Sequence, residues 1–329
     1  MKNKSFALIE KYAKVLAEME GYDKKTWKIF VNVDGRIYET ENGADFADLK
    51  RGDVVIASGA TGSLFPVEHH LLRSGKDIAA VVLSTTPYCR RFMQYGKDIT
   101  AAVDDMARIV GCKAPCIGYG DKAISRALKS SAACLVKDHY TITTGRNLYE
   151  AVVALTVLEK SAEVNTKAEV LGGVKTLPKL EADLMRQVYK KKNSQAELDT
   201  PEFEEVLKPA LDEELLEVLS QKRPDLGAVV HTYSKYCCMF AAARKPLPVE
   251  DPELQKIFGA EVPLAGYGLS GSWRLMKNTV EAFGNGMGVI MTARGMICGG
   301  ADMEDALKNC RKLEDYAAEY IESRWAELE

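Results

Sequence analysis

Apolar residues recur along this chain in two registers. Near the start, Ile9, Tyr12, Leu16 and Met19 fall on one face of a helix. Farther on come short apolar runs with β-branched residues, Ala79 to Leu83 and Ala228 to His231, which the pattern predicts as strands. Each run is followed in the same order by a short helix, a second strand and loop, another helix, an apolar strand (Ala132 to Val136; Gly288 to Met291) and a long closing helix. In the first closing helix Leu148, Val152, Leu155 and Leu158 make the stripe until Gly172-Gly173 stops it. In the second the stripe is Met303, Ala306, Leu307, Cys310, Leu313, Ala317 and Ile321.

The shared order reflects an internal repeat. DIAAVVLSTTPYCRRF from Asp77 aligns with DLGAVVHTYSKYCCMF from Asp225, 148 residues on, with seven identities in sixteen. IVGCKAPCIGY from Ile109 aligns with IFGAEVPLAGY from Ile257 at the same offset, with five in eleven. His139, Gly145 and Ala151 then have the spacing of Arg294, Gly300 and Ala306, at an offset of 155. Only the first copy carries the strand material WKIFVNVDGRIYET and DVVIAS; the second opens on a charged helical stretch around Leu180 to Lys192 and a polar loop near Ser194. The turn from Gly172-Gly173 to Pro178 is the expected boundary, giving repeats 1–172 and 173–329, the second shortened at its front.

Composition narrows the partners. With 47% hydrophobic and 28% charged residues over 329 positions, the chain can bury two cores. A net charge of −3 without a basic stripe argues against nucleic acid or an anionic membrane. The N-terminal segment has charges among its apolar positions, unlike a signal peptide, and no run approaches the roughly 20 apolar residues of a membrane span. Eight scattered cysteines without a C-x-x-C pair are expected as reduced, mostly buried thiols of a cytoplasmic protein, Cys237 and Cys238 lying in a strand-like run.

Three segments carry a family resemblance: KPALDEELLEVLSQKRPDLGAVVHTY (Lys208 to Tyr233), KDHYTITTGRNLYEA (Lys137 to Ala151) and GADFADLKRGDVVIA. They resemble the class II aldolase/adducin family, marked by a P-S-S-E turn, an R-P-D then A-V-V-H-x-H strand, and N-H-G-x-x-x-x-G leading into E-E-A. The resemblance covers roughly residues 40 to 170 and 205 to 325. It implies an α/β fold of two tandem αβα units, each a mixed, mainly antiparallel sheet flanked by helices. It also implies fourfold rings with sites between subunits, of which a tandem chain could supply two positions; the expectation is a homodimer with pseudo-fourfold symmetry. In such enzymes the three histidines bind a divalent cation that polarises a carbonyl, and the glutamate acts as acid or base.

Carried over residue by residue, neither copy keeps that set. Copy one has Leu64 for the glutamate, Leu83 and Thr85 for the H-x-H pair, and His139 for the third histidine. Copy two has Asp212, His231, Tyr233 and Arg294. A guanidinium is charged at any useful pH and would repel a metal from the third position; it reads as a stand-in for the ion's charge, paired with Asp212 or a bound anion. The resemblance therefore suggests a degenerate metal site, with His231 its remaining histidine and Asp212 a further plausible ligand, and a pocket of Asp212, His231, Tyr233 and Arg294 for a small anionic or sugar-phosphate-like ligand. No cofactor is expected. The alternative is an active aldolase or epimerase of sugar phosphates with a zinc site rebuilt in copy two. A third reading is metal-free chemistry with Tyr233 as acid and Arg294 as electrostatic stabiliser.

Other motifs add less. Ser58, Gly59, Thr61 and Ser63 lie on a Gly-rich turn between strand and helix, where backbone N–H groups can hold a phosphate, and with His139 they make up the candidate ligand-binding set. His69 and His70 read as ordinary helix-surface histidines, and Gly268 to Ser272 as a helix start capped by Ser270 or Ser272.

Overall fold

In the computed structural model residues 2–57, 66–74, 77–193, 213–269 and 271–328 are described. They fall into two units: one of Met1–Thr100, Arg108–Ala162 and Arg186–Thr200, the other of Ala101–Ala107, Glu163–Met185 and Pro201–Glu329. The chain thus passes repeatedly from one unit to the other.

Unit one is built on β1 (Lys28–Val33), β2 (Arg36–Thr40), β3 (Val54–Ile56), β4 (Ala80–Ser84), the short β5 (Ile99–Thr100) and β6 (Lys113–Ala114), β7 (Cys116–Ile117), β8 (Ala133–Val136) and β9 (Tyr140–Gly145). Its main sheet runs β3-β2-β1-β4-β9-β8-β7, antiparallel except for β7 with β8. The β1–β2 hairpin turns on Asp34 and Gly35, both at positive φ, the geometry a two-residue hairpin needs. All of β4 and β8 is buried, which is why both read as continuous apolar runs rather than alternating ones. Phe30, Val81, Leu83, Cys134 and Ile142 pack there against Val67, Leu71 and Leu72 of the helix Pro66–Ser74.

Unit two has β10 (Ala228–Thr232), the short β11 (Leu247–Pro248) and β12 (Glu261–Val262), β13 (Leu264–Ala265), β14 (Gly288–Met291) and β15 (Gly295–Gly300). Its main sheet, β10-β15-β14-β13, repeats β4-β9-β8-β7 with the same senses, and no strands corresponding to β1–β3 occur among the described residues. The registers coincide: Ala80 pairs with Gly145 as Ala228 does with Gly300, and Ala133 with Thr143 as Gly288 does with Cys298. β15, written Gly-Met-Ile-Cys-Gly-Gly, has poor strand propensity and is held by burial of all six residues.

The helices repeat as well. Glu159, on the helix Leu148–Lys167, accepts the N–H groups of Tyr88 and Cys89 that open the helix Pro87–Tyr95. Glu314, on Met303–Ala326, does the same for Tyr236 and Cys237 at the start of Lys235–Ala243. A carboxylate at a helix N-terminus satisfies donors that have no partner within the helix. Cys237 and Cys238 are therefore helical, not strand-like; everything from Cys237 to Ala243 is buried, so no polar face marks the helix in the sequence. In the closing helix of unit two Ala306, Cys310, Leu313, Ala317 and Ile321 are buried as their spacing predicts, whereas Met303 and Leu307 are exposed. Ser272 caps the helix Trp273–Phe283 by accepting from Leu275 N–H. The cysteines are free thiols. No helix among the described residues is long and apolar enough to cross a membrane.

Candidate functional site

Each unit turns between its last two strands on the same backbone device. Asp138 and Ala293 both stand at φ 62°, a left-handed conformation costly for a residue with a Cβ. The following N–H closes the turn on the strand before it: His139 to the Val136 carbonyl at 3.0 Å, Arg294 to the Met291 carbonyl at 2.8 Å. The two turns differ in the side chain they present.

In unit one His139 is exposed, its ring 4.9 Å from that of Tyr119 and 6.1 Å from that of Tyr140. The positions of the H-x-H pair have other work. Leu83 is 1% exposed, inside the apolar core. The Thr85 hydroxyl accepts from Trp27 Nε1 at 3.2 Å and lies 3.0 Å from the Thr26 hydroxyl. Ser58, Gly59, Thr61, Ser63 and Leu64 lie outside the described residues.

In unit two the third-histidine position is buried. Arg294 is 3% exposed, and its Nε lies 3.7 Å from Oδ2 of Asp104, itself 1% exposed. Asp104 comes from Ala101–Ala107, and its N–H donates to the Ala293 carbonyl at 2.8 Å, so backbone and side chain both address the turn. His231 is also buried; its Nε2 lies 2.7 Å from the carbonyl oxygen of Arg294, which makes that nitrogen the donor, and its ring is 5.1 Å from Tyr233. The Tyr267 hydroxyl sits in the same field: burial first, then the carboxylates of Asp104 and Glu181, push its pKa up, against the opposing pull of Arg294. Asp212 lies outside the described residues. Among the described residues no three His, Cys, Asp or Glu side chains come together as metal donors.

Two placements depart from the sequence reading. His69 is not a surface histidine: it is 5% exposed, with Nε2 2.7 Å from Oε2 of Glu39, while the adjacent Glu68, 1% exposed, accepts from the Tyr140 hydroxyl at 3.1 Å. The pairing shows only once β2, β9 and the helix Pro66–Ser74 are assembled. Asp104 was missed because Asp104-Asp105 at a helix start reads as ordinary N-terminal acid. Its one local signal is position: the second copy has Pro252 there, with the capping Asp251 one residue earlier.

These two mixed sheets with covering helices define tandem α/β units of one architecture. The sequence profile of the Class II Aldolase and Adducin N-terminal domain matches residues 26–166 and 202–321, and the chain belongs to that family, once in each copy. A 5-methylthioribulose-1-phosphate/5-deoxyribulose-1-phosphate aldolase of Rhodospirillum rubrum is 26% identical over 99 residues, 30% of this chain and 45% of that protein. An L-fuculose phosphate aldolase of Escherichia coli is 28% identical over 101 residues, 31% of this chain and 47% of that one. The chain thus spans about half the length of these relatives. Among solved structures, an L-fuculose 1-phosphate aldolase superposes with a TM-score of 0.49 at 20% identity, over 55% of this chain and 94% of that one. The L-fuculose-1-phosphate aldolase of Thermus thermophilus does so at 0.45 and 18%, over 53% and 98%.

Proposed function

We propose that this chain is a diverged member of the family that has given up metal-dependent aldol cleavage and retains, in unit two, a site for a small anionic or sugar-phosphate-like ligand. One observation carries the reading: where the family pattern has its third imidazole stands the buried guanidinium of Arg294, facing Asp104. The donors at this place do not suit a divalent cation. A fixed positive charge repels it, His231 Nε2 is turned to a backbone carbonyl, and tyrosine is a poor ligand at neutral pH. Unit one offers no better set, since Leu83 carries no donor atom. The Arg294 guanidinium puts a fixed positive charge where the family pattern has its ion, and Tyr233 and His231 are the groups that a ligand there would meet.

The names of the relatives favour a second reading, an active sugar-phosphate aldolase or epimerase. Metal analysis of the purified chain separates the two. Less than about a tenth of an equivalent of zinc, unchanged in His231→Ala, supports the first; about one equivalent, lost in that variant, overturns it. The pseudo-fourfold homodimer belongs to the same proposal, and a stable monomer in sedimentation would remove it.

A further inference from the structure

Unit one contains a cavity of about 420 Å³, within the roughly 300–1,000 Å³ typical of small-molecule sites. It opens at the Gly145 end of β9. That is six strand residues from His139, or roughly 20 Å at about 3.3 Å per residue, so the cavity is not the inherited metal position.

Its walls are positively charged. Arg146, Arg186, Lys190 and Lys129 line it against two acids, Asp77 and Glu150. Glu150 is committed: its carboxylate accepts the Arg146 backbone N–H at 2.8 Å and Nε at 3.0 Å, and also pairs with Nη2. That pair fixes the Arg146 guanidinium and leaves Nη1 outside it. Arg186 is fixed in turn by donation from Nη1 to the Ile109 carbonyl at 2.6 Å. Among the described residues no carboxylate lies within ion-pair distance of Lys190, which is exposed at the rim. Burial first, then the neighbouring Arg186, lowers the pKa of its ammonium, against the opposing pull of Asp77 and Glu150. Tyr189, Ile109 and Leu128 supply an apolar wall. The second copy has Ala301 where the first has Arg146.

We propose that this cavity binds a small phosphorylated molecule, the phosphate held by Arg146, Arg186 and Lys190 and the organic part lying against Tyr189 and Ile109. Planar guanidinium forks and an ammonium match phosphate oxygens. The proposal stands apart from the reading of unit two and can fail without it.

Inorganic phosphate and phenyl phosphate titrated into the full chain by calorimetry test it. Saturable binding is expected, weakened about tenfold or more in Lys190→Glu. Lys308→Glu, the same charge change on the exposed side of Met303–Ala326, leaves it within about twofold. Tyr189→Ala is expected to remove the preference for phenyl phosphate over phosphate; a preference that survives overturns the placement of the organic part. No saturable binding to the wild type, or equal losses in the two charge reversals, overturns the site.

Discussion

The turns Asp138-His139 and Ala293-Arg294 share a backbone and differ in everything that backbone presents. Both carry one residue in the left-handed region and the same closing hydrogen bond, yet one shows an exposed imidazole and the other a buried guanidinium. The difference teaches where constraint resides in a duplicated fold. Strand register and turn geometry are fixed by ladder hydrogen bonds and packing on both faces, so they persist. The side chains at the turn are not fixed by that ladder, and here the two copies differ.

The largest test of that contrast is Asp104→Ala. It removes the carboxylate that faces the buried Arg294 charge, and should cost about 3–5 kcal/mol in denaturant unfolding. His139→Ala, on the exposed turn, should stay within about 0.5 kcal/mol. The double change Asp104→Leu with Arg294→Met is expected to recover most of the loss, because removing both charges avoids an uncompensated one. Equal effects of Asp104→Ala and His139→Ala would break the contrast.

Restoring the family's pattern comes next. Leu83→His puts an imidazole into the apolar core of unit one and should cost about 2–5 kcal/mol, with no zinc bound. In unit two, Tyr233→His with Arg294→His places imidazoles near His231 and Asp104. Zinc is expected to raise the melting temperature of this variant and not of the wild type. If zinc stabilises neither, the guanidinium has not taken over the ion's place.

Where the copies agree, matched substitutions should agree too. Glu159→Gln and Glu314→Gln each weaken a pair of charge-assisted bonds to a helix N-terminus. Each should cost about 1–2 kcal/mol, the two within about 0.5 kcal/mol of each other in thermal unfolding. A larger gap would show that the two caps are not equivalent.

What was legible in the sequence follows the same division. The repeat, the strands Ala80–Ser84 and Ala228–Thr232 and both closing helices show as runs and stripes, because burial is periodic along the chain. Arg294 stood out by alignment of the copies. Its partner did not: Asp104 is 190 positions away in the numbering, and nothing local distinguishes a buried acid from a capping one. Cys237-Cys238 misled because a run of apolar residues buried all round has no polar face to give its period away. The cavity of unit one draws Arg146, Arg186 and Lys190 from two separate stretches, a convergence that only the fold creates.

The smallest expected effect concerns a buried acid found in only one copy. Glu68 lies in a cluster with Tyr140, beside His69 and Glu39, whereas the second copy has Leu216 at the matching position. Burial raises the pKa of the Glu68 carboxyl from its ordinary value, and its hydrogen bonds offset this only in part. A folded-state pKa above the unfolded one, about 4.3 for glutamate, means that ionisation disfavours the folded chain. The group's contribution is therefore complete below the unfolded value and is lost as pH rises through the folded one. Glu68→Gln keeps an oxygen for the Tyr140 hydroxyl and removes the titration. Its stability should match the wild type at acidic pH and overtake it as pH rises toward neutral, by less than the change at either helix cap. Parallel unfolding curves across that window check the sign; a variant that falls behind as pH rises would mean that a positive neighbour, not burial, governs this carboxyl.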